Sequence, residues 1–151
     1  MIPALMLAAA LLVDAPDPTL TPGVARTDIT LDQIKATTWG HDRRLVSQSM
    51  KLRVYAEYGY AGPNDPKCDG GGCEIDHRLP RCAAGADDLR NLWVQRYGSH
   101  PWNAHLKDRL ETAVCKDLKD GKITLQAAQA TFLNGDWRDA YVARFGQPSA
   151  P

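Results

Sequence analysis

The chain carries no surplus of charge of either sign: 18 Lys and Arg stand against 18 Asp and Glu. That balance argues against a polyanion held by bulk charge, although a local basic patch can still bind nucleic acid. No apolar run is long enough to span a bilayer, because Ile2 to Val13 is a run of only 12 residues, against about 20 for a spanning helix. There is no G-x-S-x-G elbow and no phosphate-cradling P-loop, so neither of those chemistries has visible machinery. No C-x-x-C pair occurs, which weakens a zinc knuckle. No internal repeat is present, and no low-complexity tract beyond the first 27 residues. What remains, at 151 residues, is an ordinary globular composition of a size for one domain with its own core.

The opening "MIPALMLAAALLVDA" suits the apolar region of a secretory leader, with small residues in Val13-Asp14-Ala15 where a signal peptidase reads, but without a Lys or Arg ahead of it. The alternative is a buried N-terminal helix. Export is the expectation: residues 1–15 a signal peptide, 16–27 a proline-containing linker, and 28–147 the domain, periplasmic or secreted and without a membrane span. Four cysteines, Cys68, Cys73, Cys82 and Cys115, are an even count that favours disulfides in an exported chain. Three pairings are possible. Cys68–Cys73, closing "CDGGGC", is the local choice and leaves Cys82–Cys115. Export also disfavours Cys-His nucleophilic catalysis, since it tends to oxidise the thiols.

Periodicity predicts a mostly helical α+β domain. "ITLDQIKATTW" reads as a short helix capped by Thr30. "DRRLVSQSMKLRVYAEYG" reads as a longer one from an Asp42 cap to Gly59, with Val46, Met50 and Val54 on its stripe, widened by Leu45 and Leu52. Its Arg43, Arg44, Lys51 and Arg53 read first as a solvated face and second as phosphate-facing. "CEIDHRL" and "NLWVQ" read as short strands separated by loop. "NAHLKDRLETAVCKDLKDG" is a helix capped by Asn103, with Leu106, Leu110, Ala113 or Val114, and Leu118 inward. Two more helices follow, capped by Thr124 and Asp136 and stopped by Gly135 and Gly146. The tryptophans read as core, with Trp102 the one nearest any site.

The unusual feature is "GGGCEIDHRLP", which sets Asp76 beside His77 on a strand, where neighbours point to opposite faces. Phosphodiester hydrolysis needs an ion-binding carboxylate or imidazole, a neutral histidine to activate water, and a group that fixes the imidazole's orientation. "EIDHRLP", "GADDLRNLW" and "NAHLKD", in that order, resemble the HNH endonuclease family with its ββα-metal hairpin-helix core. The span from Thr21 to Gly146 resembles a group of small exported bacterial proteins of unknown role built around that motif.

The resemblance implies a role for each residue. Asp76 is expected to bind metal, His77 to act as general base, and Asn91 to orient His77 through its side-chain carbonyl. His105 is the second metal ligand, with His100 the alternative at the family's usual spacing. Lys107 or Arg109 would hold the phosphate. The paired glycines of the family loop are replaced here by Ala84-Gly85. The implied function is a metal-dependent phosphodiesterase or endonuclease, largely indifferent to sequence. It would take Mg2+ first, with Mn2+, Ni2+ or Zn2+ as alternatives, and act as a monomer on DNA, with RNA as a second substrate. Taken singly, the same residues have plainer readings: an Asp76 ion pair with Arg78 or Arg81, a packed His77, Asn91 in a turn, His105 on a helix surface. The corresponding whole-protein alternative is a non-catalytic exported domain with a structural or vestigial metal site.

Overall fold

The computed structural model describes residues 14–149, so residues 1–13 of the expected leader lie outside the described residues. Among the described residues there are five α-helices and one two-stranded antiparallel sheet: α1 (Leu31–Ala36), α2 (Gln48–Glu57), β1 (Cys73–His77), β2 (Leu92–Arg96), α3 (Ala104–Lys119), α4 (Leu125–Leu133) and α5 (Trp137–Phe145). This is the expected α+β class. No helix among them is long and apolar enough to cross a membrane.

Caps account for most helix starts. Thr30 and Gln33 form a reciprocal capping box on α1, which satisfies two otherwise unpaired backbone N–H groups. Asn103, Thr124 and Asp136 cap α3, α4 and α5, as their sequence positions predict. The start of α2 does not follow expectation. Ser47, not Asp42, caps it, accepting from the Met50 N–H at 3.2 Å. Asp42 is drawn away by an ion pair with Arg81. Leu45 therefore precedes the helix, and Leu52 lies about 200° around it from Val54. The two leucines are 62% and 54% exposed instead of widening the apolar stripe.

The strands pair from Cys73 opposite Arg96 to His77 opposite Leu92. One sheet face, with Cys73, Ile75, Leu92 and Val94, packs with Val54 and Tyr55 of α2 in one apolar cluster. A second cluster gathers Leu79, Leu110, Val114, Leu118, Phe132, Trp137 and Tyr141 beneath α3, α4 and α5. Both cysteine pairs reached from the sequence lie at disulfide distance, with Cα–Cα of 5.5 Å for Cys68–Cys73 and 5.8 Å for Cys82–Cys115. The second ties the loop after β1 to α3.

Residues 16–27 are not a free linker. Thr21 is fully buried, its hydroxyl donating to the Leu92 carbonyl at 2.9 Å. Ala25 bridges Gly85, and the Arg26 N–H donates to the Ala84 carbonyl at 2.7 Å. The buried Arg78 guanidinium donates to the carbonyls of Thr21, Phe132 and Leu133. The strap turns at residues 18–20, where the Thr21 N–H donates to the Asp17 carbonyl at 2.7 Å, and beyond the turn the Gly23 and Arg26 N–H groups find carbonyl partners on the body instead of water. Ala15 is buried, and Asp14 pairs with Arg96 and accepts from Ser99. Asp14 and Ala15, counted with the expected leader, thus make contacts with the body of the domain.

The β1–β2 connection bends sharply at Ala84-Gly85. Ala84 takes a left-handed φ of 65°. At Gly85 an added Cβ would lie 1.8 Å from the Leu79 carbonyl oxygen.

Candidate functional site

The end of β1 projects Asp76 and His77 in opposite directions, as alternation requires, yet both line one cleft of about 270 Å3. His77 is 3% exposed. Its Nε2 lies 2.7 Å from Asp87 Oδ1, and its Nδ1 lies 3.3 Å from an Arg44 guanidinium nitrogen. Arginine can only donate, so Nδ1 accepts and Nε2 carries the proton toward Asp87; the tautomer is assigned from these partners. Burial lowers the His77 pKa from its ordinary value and Arg44 lowers it further, against the opposing pull of Asp76 and Asp87. Burial works to raise Asp87, but hydrogen bonds from the Leu45 N–H and His77 hold it below the usual carboxylate value. The imidazole is neutral at pH 7 and held from one side by a carboxylate.

Asn91 does not perform the expected orienting task. It is fully buried. Its Oδ1 accepts from the Leu79 N–H at 2.9 Å, and its Nδ2 donates to the carbonyls of Leu79 and Ala86 at 3.0 and 2.9 Å. It braces the loop that carries Asp87 and so acts on His77 only at one remove. Asn91→Ala strands buried backbone groups on that loop and should cost about 2–4 kcal/mol, read by urea denaturation.

Helix α3 decides the fate of the other expected residues. Lys107 and Glu111 are one turn apart on one face; His105 and Arg109 are one turn apart on another. The first face meets the sheet. Lys107, 1% exposed, donates to Asp76 at 2.6 Å and to the His77 carbonyl at 2.8 Å, and also bonds Glu111. It is committed internally and is not a free phosphate ligand. Arg109 turns to α5, donating to the Tyr141 hydroxyl at 3.0 Å and lying 4.1 Å from the Phe145 ring centre. His105 is exposed and leans on Tyr97, ring centres 5.6 Å apart. His100 is exposed in the preceding turn. Among the described residues, no group of three or more His, Cys, Asp or Glu is placed to hold a metal ion. With Asp76 engaged by Lys107 and His105 on Tyr97, the residues as arranged do not fit a metal centre.

Carboxylates dominate the cleft floor: Glu74, Asp76, Asp108 and Glu111, against Arg44 and Arg81. Burial raises Glu74 and Asp108, with Asp76 raising both further. Burial pushes Glu111 up to about 8, against the pull of Lys107 and with help from Asp76. The folded Glu111 therefore keeps its proton to higher pH than an unfolded glutamate near 4.5. Its contribution is fully present below the lower value and lost as pH rises through the upper one. Wild-type stability relative to Glu111→Gln should thus fall between about pH 4.5 and pH 8, measured by melting both chains across that range.

Trp39, not Trp102, borders the cleft; Trp102 packs edge-on against Trp137 and Tyr141. Sequence reasoning missed Asp87 and Glu111. Asp87 reaches His77 only through the loop fold, a contact with no periodic signal. Glu111, four residues after Lys107 on a predicted helix, was detectable as an ion-pair partner. Comparison of the chain with protein-family models, with curated proteins and with solved structures finds no match in any of the three.

Proposed function

We propose that this chain is an exported phosphodiesterase acting on nucleic acid, with His77 as general base and Asp87 as the residue that positions it. The observation that carries this reading is the His77–Asp87 pair at 2.7 Å, set in a cleft that also holds Arg44 and Arg81. A base gripped from behind, with its lone pair on the opposite nitrogen, is the arrangement that activates a nucleophile. In this reading His77 Nδ1 takes a proton from water, Asp87 stabilises the resulting imidazolium, and the exposed Arg44 side chain exchanges its contact with Nδ1 for a phosphate oxygen. Arg81 is held by Asp42, Asp87 and the Arg43 carbonyl, so Arg44 is the guanidinium placed for phosphate. Arg44 takes the part that the resemblance assigned to Lys107 and Arg109.

Dependence on a divalent ion belongs to the proposal on grounds of charge. Of the four carboxylates lining the cleft, Asp76 and Glu111 share the Lys107 ammonium, which leaves Glu74 and Asp108 to repel an entering phosphate, a repulsion that a cation arriving with the substrate relieves. Mg2+ is the first candidate, then Mn2+, Ni2+ or Zn2+. The test uses the full chain with its disulfides intact, supercoiled plasmid and RNA, and each ion in turn. Nicking that weakens steeply with salt and shows little sequence preference is expected. Failure to cut either substrate with any of the ions overturns the proposal.

A second reading has its own observation. The Lys107 ammonium satisfies Asp76 and Glu111 and acts as an internal cation, which suits a non-catalytic exported domain. It requires the His77→Ala chain to match wild type in every assay.

A further inference from the structure

Arg43 and Arg44 are adjacent in sequence but serve different clefts. Arg44 lines the cleft with His77. Arg43 lines a second cleft, of about 460 Å3. Trp39 and Arg81 belong to both linings and form the wall between them, the guanidinium carbon 5.7 Å from the indole centre. The two chambers differ in sign. In the first, Asp76 and Glu111 share the Lys107 ammonium and Arg81 is paired with Asp42, so Glu74 and Asp108 stand against Arg44. In the second, Arg26, Arg43 and Arg81 against Asp28 and Asp42 leave one positive charge. Asp28 is paired with Arg26 and Asp42 with Arg81. Among the described residues no carboxylate pairs with Arg43, whose exposed guanidinium remains available to an anion.

We propose that the second cleft is a subsite for the phosphate next to the scissile one, with Arg43 as its anchor. The proposal rests on the phosphodiesterase reading and deepens it: the substrate is a polynucleotide strand and not a mononucleotide ester. A strand offers phosphates at short regular intervals, and successive arginines directed to neighbouring chambers on either side of one indole wall match two of them. The unpaired positive charge lies away from the acidic chamber, so the flanking phosphate contributes affinity.

Two measurements test this on the full chain. The first is binding of a fluorescein-labelled 12-nucleotide strand to His77→Ala protein over a salt series. Adding Arg43→Ala should weaken binding about fivefold and lower the slope of log affinity against log salt by about 1, whereas Arg43→Lys should keep the slope. The second compares kcat/KM of wild type and Arg43→Ala on the oligonucleotide and on bis(4-nitrophenyl) phosphate, which has no flanking phosphate. The loss should be at least several-fold larger on the oligonucleotide. An unchanged affinity and slope, or an equal loss on both substrates, overturns the subsite. If wild type cuts both substrates while Arg43→Ala binds and cuts like wild type, the subsite falls and the phosphodiesterase reading stands. If wild type cuts neither, that reading falls, and an Arg43-dependent salt slope still supports phosphate capture in the second cleft.

Discussion

His77→Gln should lower nucleic-acid cleavage by about two to four orders of magnitude, the range lost with a general base, while leaving the melting temperature within a few degrees. Glutamine nearly fills the imidazole's space and can still donate to Asp87, so the cleft survives without its proton acceptor. His77→Ala should be equally inactive but less stable, because His77 is 3% exposed and its removal leaves a cavity. The pH profile makes the assignment specific. A neutral imidazole is required, and burial holds its pKa below the ordinary 6.5, so the acid limb of kcat/KM should lie below that value. Asp87 opposes this depression. Asp87→Asn keeps a hydrogen-bonding group but removes the charge, and should both slow the reaction and move the acid limb to lower pH. An acid limb unmoved by Asp87→Asn would remove Asp87 from its positioning role.

Lys107→Met should be the most damaging single substitution to stability. The ammonium is the buried partner of Asp76 and Glu111, and it also donates to the His77 carbonyl. Methionine fills much of the volume but leaves two carboxylates without their cation, and breaking a buried pair in this way costs about 3–5 kcal/mol. The loss should be larger at pH 8 than at pH 5. Lys107 lowers the Glu111 pKa, so its removal raises that pKa further, and the two chains diverge as wild-type Glu111 loses its proton near pH 8. Adding Asp76→Asn and Glu111→Gln to Lys107→Met should recover much of the loss, because no buried charge then lacks a partner. Urea denaturation of the three chains at both pH values decides it; a pH-independent effect below about 1 kcal/mol would mean that the cluster is better solvated than its burial indicates.

Much of the local structure was legible in the sequence because it is written in short-range chemistry. Thr30, Asn103, Thr124 and Asp136 act within three residues of themselves, and the strand pair around Asp76 and His77 follows from composition and turn residues. The Cys68–Cys73 pair is closed by its own short loop. Errors arose where a second element competes. Asp42 has the chemistry of a helix cap, but Arg81 draws it away and Ser47 replaces it. The strap at 16–27 has no periodicity, which shows only that it is neither helix nor strand and says nothing about what its backbone bonds to.

The sequence by itself determined that a histidine and an aspartate stand back to back at a strand end, followed by a loop, a second strand and a helix. It also determined which residue types are present to do chemistry there. The rotation of α3 and the path of the β1–β2 loop decided the rest. Rotation buries Lys107 between Asp76 and the half-buried Glu111 and leaves His105 and Arg109 facing elsewhere. The loop path brings Asp87 to His77 and assigns Asn91 to the backbone. Such choices depend on which contacts best fill a shared core and pair its buried charges, a property of the assembled chain that no window of residues contains.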